Sequence, residues 1–353
     1  MAARSHAARS GERHKRSRPA WLTLSDEELL DLRFCDLRLT IRGSFVEPHL
    51  DRLRDELEQR GLRFQPHAWL ADEWFSPDGI PGIAIPFYLA HPRLMQLERR
   101  FMHEVEGGNV NWLMRILRHE AGHAVDTAFR LRRRKEWRRM FGPASRPYPD
   151  IYKPRPTSRN FVLHLSHWYA QSHPTEDFAE TFAVWLKPRS RWRSDYAGWP
   201  VSRKLEYVDA VMHELKGARP VVRTREVIEP INSNRRTLRQ HYEQRLKRYA
   251  FDSVDAYDLR LKRVFGRRTD QPRRPSASGF LRQVRPQFIR LLARRNDLHP
   301  YVVYHVMRLV IRRCRLLQLV VTTPQRDAKR AALGLIERIM LDVLRRDREK
   351  YAL

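Results

Sequence analysis

The feature that most constrains this chain is a five-residue pattern, His119-Glu120-Ala121-Gly122-His123, inside a long stretch of apolar periodicity. Two histidines four residues apart lie on one face of a helix, about one turn from each other, so both imidazoles can reach one metal ion. Glu120 follows the first histidine directly, where a carboxylate can take a proton from a metal-activated water. The spacing therefore predicts a helix with two zinc ligands and a general base.

The flanks of the pattern favour a continuous helix. Apolar side chains recur at helical spacing from 111 to 131, and no proline interrupts them. An ordinary amphipathic helix with two hydrogen-bonded histidines is the competing interpretation, because short motifs also arise by chance. A catalytic zinc takes three protein ligands and leaves its fourth position to water, so a third ligand elsewhere would separate the two interpretations.

A second stretch, HWYAQSHPTEDFAETFAVWL at 167–186, offers such a ligand. Pro174 opens a helix whose first turn is acidic, as the helix dipole favours. Glu176 and Glu180 are four residues apart and share one face. One carboxylate can bind the metal while the other accepts the N–H of a ligating histidine.

Upstream, residues 74–94 read WFSPDGIPGIAIPFYLAHPRL. Ile80–Phe87 is apolar and predicts a strand, and Pro81 and Pro86 confine that strand to a sheet edge. The free backbone groups of an edge strand can pair with an extended peptide. The candidate substrate-binding residues are therefore Ile83, Ala84 and Ile85. The alternative is a plain edge strand protected by its prolines.

Together the three segments resemble the gluzincin metallopeptidases, and most closely a bacterial family of zinc-binding metallopeptidases. The resemblance rests on HEAGH at 119–123, YAQSHPTEDFAETFAVWL at 169–186 and the segment at 74–94. A more distant similarity is to the catalytic domain of anthrax lethal factor, where a ligand glutamate opens a similar helix seven residues after a tyrosine. The resemblance implies a zincin-like fold and zinc-dependent hydrolysis of a peptide or amide bond.

The resemblance also implies roles for individual residues. The implied zinc ligands are His119, His123 and Glu176. Glu120 would be the general base, Glu180 would support a ligating histidine, and Tyr169 would face the developing oxyanion. Glu180 and Asp177 remain alternative ligands, and Tyr169 can equally be a packing aromatic.

Two other zincin patterns fit the helix less well. A metzincin would need Gly where Asp126 stands and His where Phe129 stands, so that class is excluded. Asp126 would be a ligand in an aspartate-type zincin, but it lies only three residues after His123 on the same helix. A supporting or surface role suits it better.

The formal net charge of +28 over 353 residues invites nucleic acid as a partner, because clustered cations release phosphate counterions. Of the 69 basic residues, 59 are arginine, a skew that a GC-rich coding sequence produces without selection for binding. Solvated surface is therefore the competing explanation. Three classes of function stay open: a zinc peptidase, a zinc-bearing regulator without turnover, and a basic nucleic-acid-associated protein.

Cations also follow both predicted metal-binding helices, at 130–135 and 187–193. Guanidinium groups bind carboxylates in a bidentate fork, so these clusters suggest an acidic peptide substrate. The alternative is that cations gather at helix C-termini because the dipole favours them there.

No membrane partner is expected. Arginines interrupt the most apolar long stretch, 302–321, and no apolar core of signal-peptide length follows the basic N-terminus. Cys35 and Cys314 lie far apart in apolar surroundings and predict a reduced pair without a disulfide. These features favour a cytoplasmic protein.

The predicted fold class is α+β, in three parts. Residues 1–20 form a disordered basic tail, 21–215 a zincin-like domain with a small sheet, and 216–353 an all-helical Arg-rich domain. In the zincin-like domain we expect further strands over 36–42 and 64–70, and a continuation of the zinc helix through the charge run after Leu131. Residues 267–279 read as a linker between C-terminal helices.

Overall fold

A computed structural model describes residues 19–102, 105–149, 154–155, 157–248, 257–267, 274–296 and 300–350. Apart from its last two residues, the predicted basic tail lies outside these ranges. In the N-terminal part the helices are α1 (Asp26–Leu30), α2 (Glu47–Gln59), α3 (Pro92–Met102), α4 (Val110–Phe129), α5 (Lys135–Phe141), α6 (Pro174–Leu186), α7 (Trp192–Asp195), α8 (Ser202–Glu214) and α9 (Leu238–Arg248). The C-terminal helices are α10 (Asp258–Val264), α11 (Ala277–Arg295), α12 (Pro300–Leu316) and α13 (Gln325–Lys350).

A two-stranded parallel sheet accompanies the N-terminal helices. Strands β1 (His67–Ala71) and β2 (Gly82–Pro86) pair so that Leu70 lies opposite Ile85. Both strands were expected from the sequence, although each is shorter than its predicted range. A mostly helical chain with one small sheet is compatible with the predicted α+β class.

The third predicted strand, at 36–42, is wrong. Phe34–Leu37 forms a 3-10 helix, and Arg38 follows it in the left-handed region at φ 48°. The N–H groups of Phe34 and Cys35 donate to the carbonyls of Arg236 and Asn234. Within the predicted range, the side-chain amide of Asn232 donates to the carbonyl of Leu39 at 3.1 Å, so a distant loop takes the place of a neighbouring strand there.

The edge of β2 is closed. The N–H of Ala84 donates to the carbonyl of Phe75 at 2.9 Å in an antiparallel bridge. Ile83, Ala84 and Ile85 are fully buried. The chain itself fills the edge position at Ala84, and the expectation that these three residues bind substrate stays a prediction.

The helix predicted over 111–131 is present as α4, but its predicted continuation is wrong. Arg130 adopts the left-handed conformation at φ 53° and ends the helix, and α5 begins only at Lys135. The carboxylate of Asp126 accepts the backbone N–H of Arg132 at 2.8 Å and its Nε at 2.6 Å. This buried carboxylate holds the chain in a turn where the charge pattern alone suggested more helix.

The hydrophobic core falls into two main clusters. One extends from Trp21 to Tyr242, and the other from Tyr257 to Met340. Ile231 and Leu238 belong to the first cluster, so the packing favours a boundary after Tyr242 over the predicted boundary at 215. The division into domains remains a proposal.

The C-terminal part is not purely helical. Strands β3 (Gly266–Arg267) and β4 (Leu319–Val320) form a short antiparallel ladder. The predicted linker at 267–279 is correspondingly shorter, because Arg267 lies in β3 and α11 begins at Ala277; residues 268–273 fall outside the described ranges. Among the helices that the structure describes, none is both long and apolar enough to span a bilayer.

The contact between α4 and α6 depends on a glycine. A Cβ added at Gly122 would lie 2.8 Å from Cα and 3.1 Å from the carbonyl oxygen of Ala179, so the two helix backbones touch at this point. The two predicted metal-binding helices are thus held at a separation that even one methyl group would disturb.

We therefore expect Gly122→Ala to destabilise the fold by about 1–3 kcal/mol, the usual range for overpacking a core. Gly334→Ala is the matched control, because a Cβ there meets only Arg338 Nη1, at 4.0 Å. In α13 the same change should stabilise by about 1 kcal/mol through helix propensity alone. Urea unfolding monitored by circular dichroism measures both. Equal effects of the two substitutions would contradict the close contact.

Candidate metal centre

The predicted ligands lie on helices α4 and α6, and the packing of these two helices brings the ligands together. The Asn109 side chain caps α4 by accepting the N–H of Trp112, and the His173 side chain caps α6 by accepting the N–H of Thr175. Every residue of α6 is buried, so its carboxylates face protein and not water. Local capping thus fixes where each helix begins, and Gly122 sets how closely they approach.

Three side chains converge where the helices meet. The Oε2 atom of Glu176 lies 3.0 Å from Nε2 of His119 and 3.1 Å from Nε2 of His123, and the two Nε2 atoms are 3.1 Å apart. In the part of the chain that the structure describes, these three residues form the one group of histidine, cysteine and acidic side chains able to share a metal ion. The structure thus places His119, His123 and Glu176 together.

The donor set suits zinc. Two imidazole nitrogens and one carboxylate oxygen are three protein ligands, which leaves one tetrahedral position open. Ligand atoms bound tetrahedrally at zinc's usual bond lengths are about 3.3 Å apart. The observed separations of 3.0 to 3.1 Å are close to that value, so the same rotamers can hold the ion after a slight outward movement.

Glu180 fixes the orientation of the first histidine. Its Oε1 atom lies 2.8 Å from Nδ1 of His119, and its Oε2 accepts the backbone N–H of Leu165 at 2.7 Å. With Nδ1 engaged, Nε2 is the nitrogen left to face the other ligands. Glu180 therefore stands apart from the three converging atoms, and its role as the support of a ligating histidine stays a prediction.

The charges of these side chains depend on one another. Burial opposes the imidazolium, but the hydrogen bonds with Glu176 and Glu180 outweigh it and raise the pKa of His119 well above its ordinary value. Burial likewise opposes the Glu176 carboxylate, yet the charge of His123 and the hydrogen bonds with both histidines lower the pKa of Glu176 well below its ordinary value. A cation introduced here would replace a proton as the partner of Glu176.

Tyr148 was missed by the sequence reasoning. Its hydroxyl donates to Oε1 of Glu176 at 2.7 Å, while its ring stacks on His173 with centroids 3.8 Å apart. Bonding at Oε1 leaves Oε2 as the atom that faces the histidines. The proline-rich loop after α5 could have been expected to border the site, but nothing in its sequence singles out Tyr148.

Ser76 was also missed. Its hydroxyl donates to Oε2 of Glu120 at 2.8 Å, which fixes the carboxylate that was predicted to be the base. Ser76 follows Phe75, whose carbonyl closes the edge of β2. The segment was singled out in the sequence for its strand, whereas its contact with Glu120 joins residues 44 positions apart.

The remaining candidates lie around this centre. The ring of Tyr169 lies 5.5 Å from that of His119, centroid to centroid. Asp177 pairs with Nζ of Lys204 at 2.5 Å instead of joining the ligands, and burial raises its pKa to about 7. Asp126 pairs with Arg132 at 2.6 Å, so neither aspartate lies in the group that could share a metal ion.

Several of the cations after the two helices are already paired within the chain. Arg132 bonds Asp126 and Asp78, Arg134 bonds Glu214, and Arg193 bonds Asp209. These carboxylates neutralise part of the charge that suggested an acidic substrate. The acidic-substrate hypothesis thus gains no support from the fold.

Residues 96–197 match the model of a protein family described as "Putative zinc-binding metallo-peptidase". The match covers just under a third of the chain and includes the whole of α4 and α6. No curated protein and no solved structure matches the chain. The comparisons therefore support similarity to a zinc-binding metallopeptidase family and add nothing to the more distant similarity with anthrax lethal factor.

Proposed function

We propose that this protein is a zinc-dependent peptidase. The observation that carries the proposal is the convergence of His119, His123 and Glu176 inside the range that matches a metallopeptidase family. Zinc held by these residues would supply a Lewis acid that polarises a carbonyl oxygen and makes water acidic near neutral pH. A peptide or amide bond is the substrate class that the family description implies.

The surrounding side chains are suited to orient the ligands. Glu180 accepts the proton on Nδ1 of His119 and leaves the lone pair on Nε2 for a metal. The hydroxyl of Tyr148 holds Oε1 of Glu176 and leaves Oε2 for the same purpose. We propose that both act as supports of the metal centre.

Glu120 is proposed as the general base. It would take a proton from the attacking water and return it to the nitrogen of the leaving amine. The hydroxyl of Ser76, 2.8 Å from Oε2, keeps this carboxylate in one orientation. Tyr169, beside the ring of His119, is the proposed donor to the oxyanion that develops on the substrate carbonyl.

Metal removal tests the proposal. Purified protein should contain about one zinc per chain and should cleave members of a peptide library. A chelator should abolish cleavage, and added zinc should restore it together with the metal content. Cleavage that persists after complete removal of the metal would contradict the proposal.

A further inference from the structure

A cavity of about 790 Å³ lies where the C-terminal half of α2 meets the turn that follows α6. Its volume is in the usual range for small-molecule sites, about 300–1,000 Å³. The lining is mostly polar and includes three arginines, Arg52, Arg60 and Arg189. The cavity is separate from the candidate metal centre, because Leu186 in its wall follows Glu176 by nearly three turns of α6, about 15 Å along the helix.

The acidic residue in the lining, Glu56, is already neutralised. Arg118 donates to its two oxygens from Nε and Nη2, each at 2.7 Å, and both side chains are buried. Arg52 donates to the same carboxylate from Nε at 3.0 Å. One carboxylate therefore faces two guanidinium groups, and one positive charge is in excess at this wall of the cavity.

Arg60 brings a second cation to the cavity. Its Nη2 donates to the carbonyl of Trp185 at 2.7 Å, and its guanidinium carbon lies 4.6 Å from the Trp185 ring centroid. The nearby carboxylate of Asp209 instead accepts from Nε1 of Trp185 and Nη2 of Arg193, both at 2.7 Å. Burial lowers the pKa of Arg60; the charge of Asp209 opposes this shift, and that of Arg193 adds to it. Arg60 is thus a partly desolvated cation held by a neutral carbonyl and a ring.

Arg189 occupies a backbone position that favours glycine. The N–H of Ser190 donates to the carbonyl of Lys187 at 3.1 Å, which closes a tight turn with Pro188 second and Arg189 third, at φ 55°. Proline followed by a residue of positive φ is typical of a type II turn, where the third residue is usually glycine. Arg189 is exposed, and no carboxylate of the described ranges pairs with it. A ligand in the cavity would offset the backbone strain of placing an arginine there.

We propose that this cavity binds a small molecule that carries two linked phosphate groups. The excess charge beside Glu56, together with Arg60 and Arg189, amounts to three cations, and guanidinium groups bind phosphate oxygens in a bidentate fork. A phosphate monoester carries about −1.5 to −2 charges at pH 7, so two linked groups balance three cations better than one does. The mostly polar lining suits a compact anion. Inorganic diphosphate and nucleoside diphosphates share this chemistry.

Calorimetric titration of the full-length protein with inorganic pyrophosphate, at about 0.15 M salt, tests the inference. The wild type should bind it saturably. Arg189→Gly should weaken binding about 10- to 100-fold, the usual effect of losing a charge-assisted hydrogen bond. The urea midpoint of this variant should stay near that of the wild type, because glycine adopts φ 55° without strain. Weaker binding at an unchanged midpoint would therefore reflect the lost guanidinium and not unfolding.

Arg38→Gly is the matched control. Arg38 is also exposed and left-handed, at φ 48°, but it does not line the cavity, so the control removes the same charge and the same strain elsewhere. Its affinity for pyrophosphate should equal that of the wild type. An equal loss in both glycine variants would show an effect of net charge and would overturn the proposal. Absence of saturable binding, or full affinity in Arg189→Gly, would overturn it too.

Two further ligands define the chemical class. Malonate carries two linked carboxylates, and binding of malonate as tight as that of pyrophosphate would overturn the assignment to phosphate. Titration with ADP distinguishes the two sources of a diphosphate. Tighter binding of ADP than of pyrophosphate would support a nucleotide as the ligand, and equal or weaker binding of ADP would support the inorganic ion.

Discussion

His123→Ala is expected to abolish zinc binding. The substitution removes one of the three proposed protein ligands and leaves Glu176 without a partner that lies 3.1 Å away. Metal analysis of the purified variant, with circular dichroism to confirm folding, measures the effect. His213→Ala is the matched control, because that histidine is exposed on α8 and touches none of the ligands. Normal zinc content in the His123 variant would rule out the proposed ligand set.

Substitutions of the residues that hold the proposed ligands should weaken zinc binding without abolishing it. Glu180→Ala should retain the metal but weaken its binding about 10- to 100-fold, as the loss of a partner of a ligating histidine usually does. Tyr148→Phe removes the hydroxyl that donates to Glu176 and keeps the ring stacked on His173. We therefore expect it to weaken zinc binding as well. If Glu180→Ala lost zinc as completely as His123→Ala, Glu180 would itself be a ligand.

Glu120→Gln is expected to abolish peptide cleavage without loss of zinc. The amide retains the shape of the side chain but cannot accept the proton of the attacking water, and general-base contributions are typically about 100- to 10,000-fold. Digestion of a peptide library, analysed by mass spectrometry for both proteins at equal zinc content, makes the comparison. Glu136→Gln, an exposed change on α5, serves as control.

The same variant separates an enzyme from a zinc-bearing regulator. A regulator would be indifferent to Glu120→Gln, because the substitution removes no ligand. Identical products from the wild type and the variant would favour the regulator. Ser76→Ala should cleave peptides more slowly than the wild type but faster than Glu120→Gln. It leaves the carboxylate in place and removes only the hydroxyl that orients it.

Helices α4 and α6 could be predicted because their signals are local. Apolar periodicity over 111–131, and a proline followed by an acidic turn at Pro174, describe each helix without reference to the rest of the chain. The spacing of His119 and His123 then fixes their common face. What no local pattern contained was the closeness of the two helices, which depends on Gly122 meeting Ala179.

The residues that were missed act over long sequence separations. Ser76 and Tyr148 lie in loops, and each reaches its carboxylate across 44 and 28 positions respectively. The two incorrect predictions, a strand at 36–42 and more helix after Leu131, have a similar cause. Asn232, in a distant loop, donates to the carbonyl of Leu39 inside the segment predicted as a strand at 36–42, and the buried Asp126 holds Arg132 in a turn where more helix was expected. Propensity was outweighed in both places by a specific hydrogen bond.

The closed edge of β2 has a consequence for how this centre could change. Phe75 bonds the strand through its carbonyl, and the next residue, Ser76, bonds Glu120 through its hydroxyl. The carbonyl of Phe75 and the Cα of Ser76 belong to one planar peptide unit, so a rearrangement that breaks the hydrogen bond from Ala84 also moves the Cα that carries the Ser76 hydroxyl. Opening of the β2 edge and the orientation of the Glu120 carboxylate are therefore linked through the neighbouring residues Phe75 and Ser76.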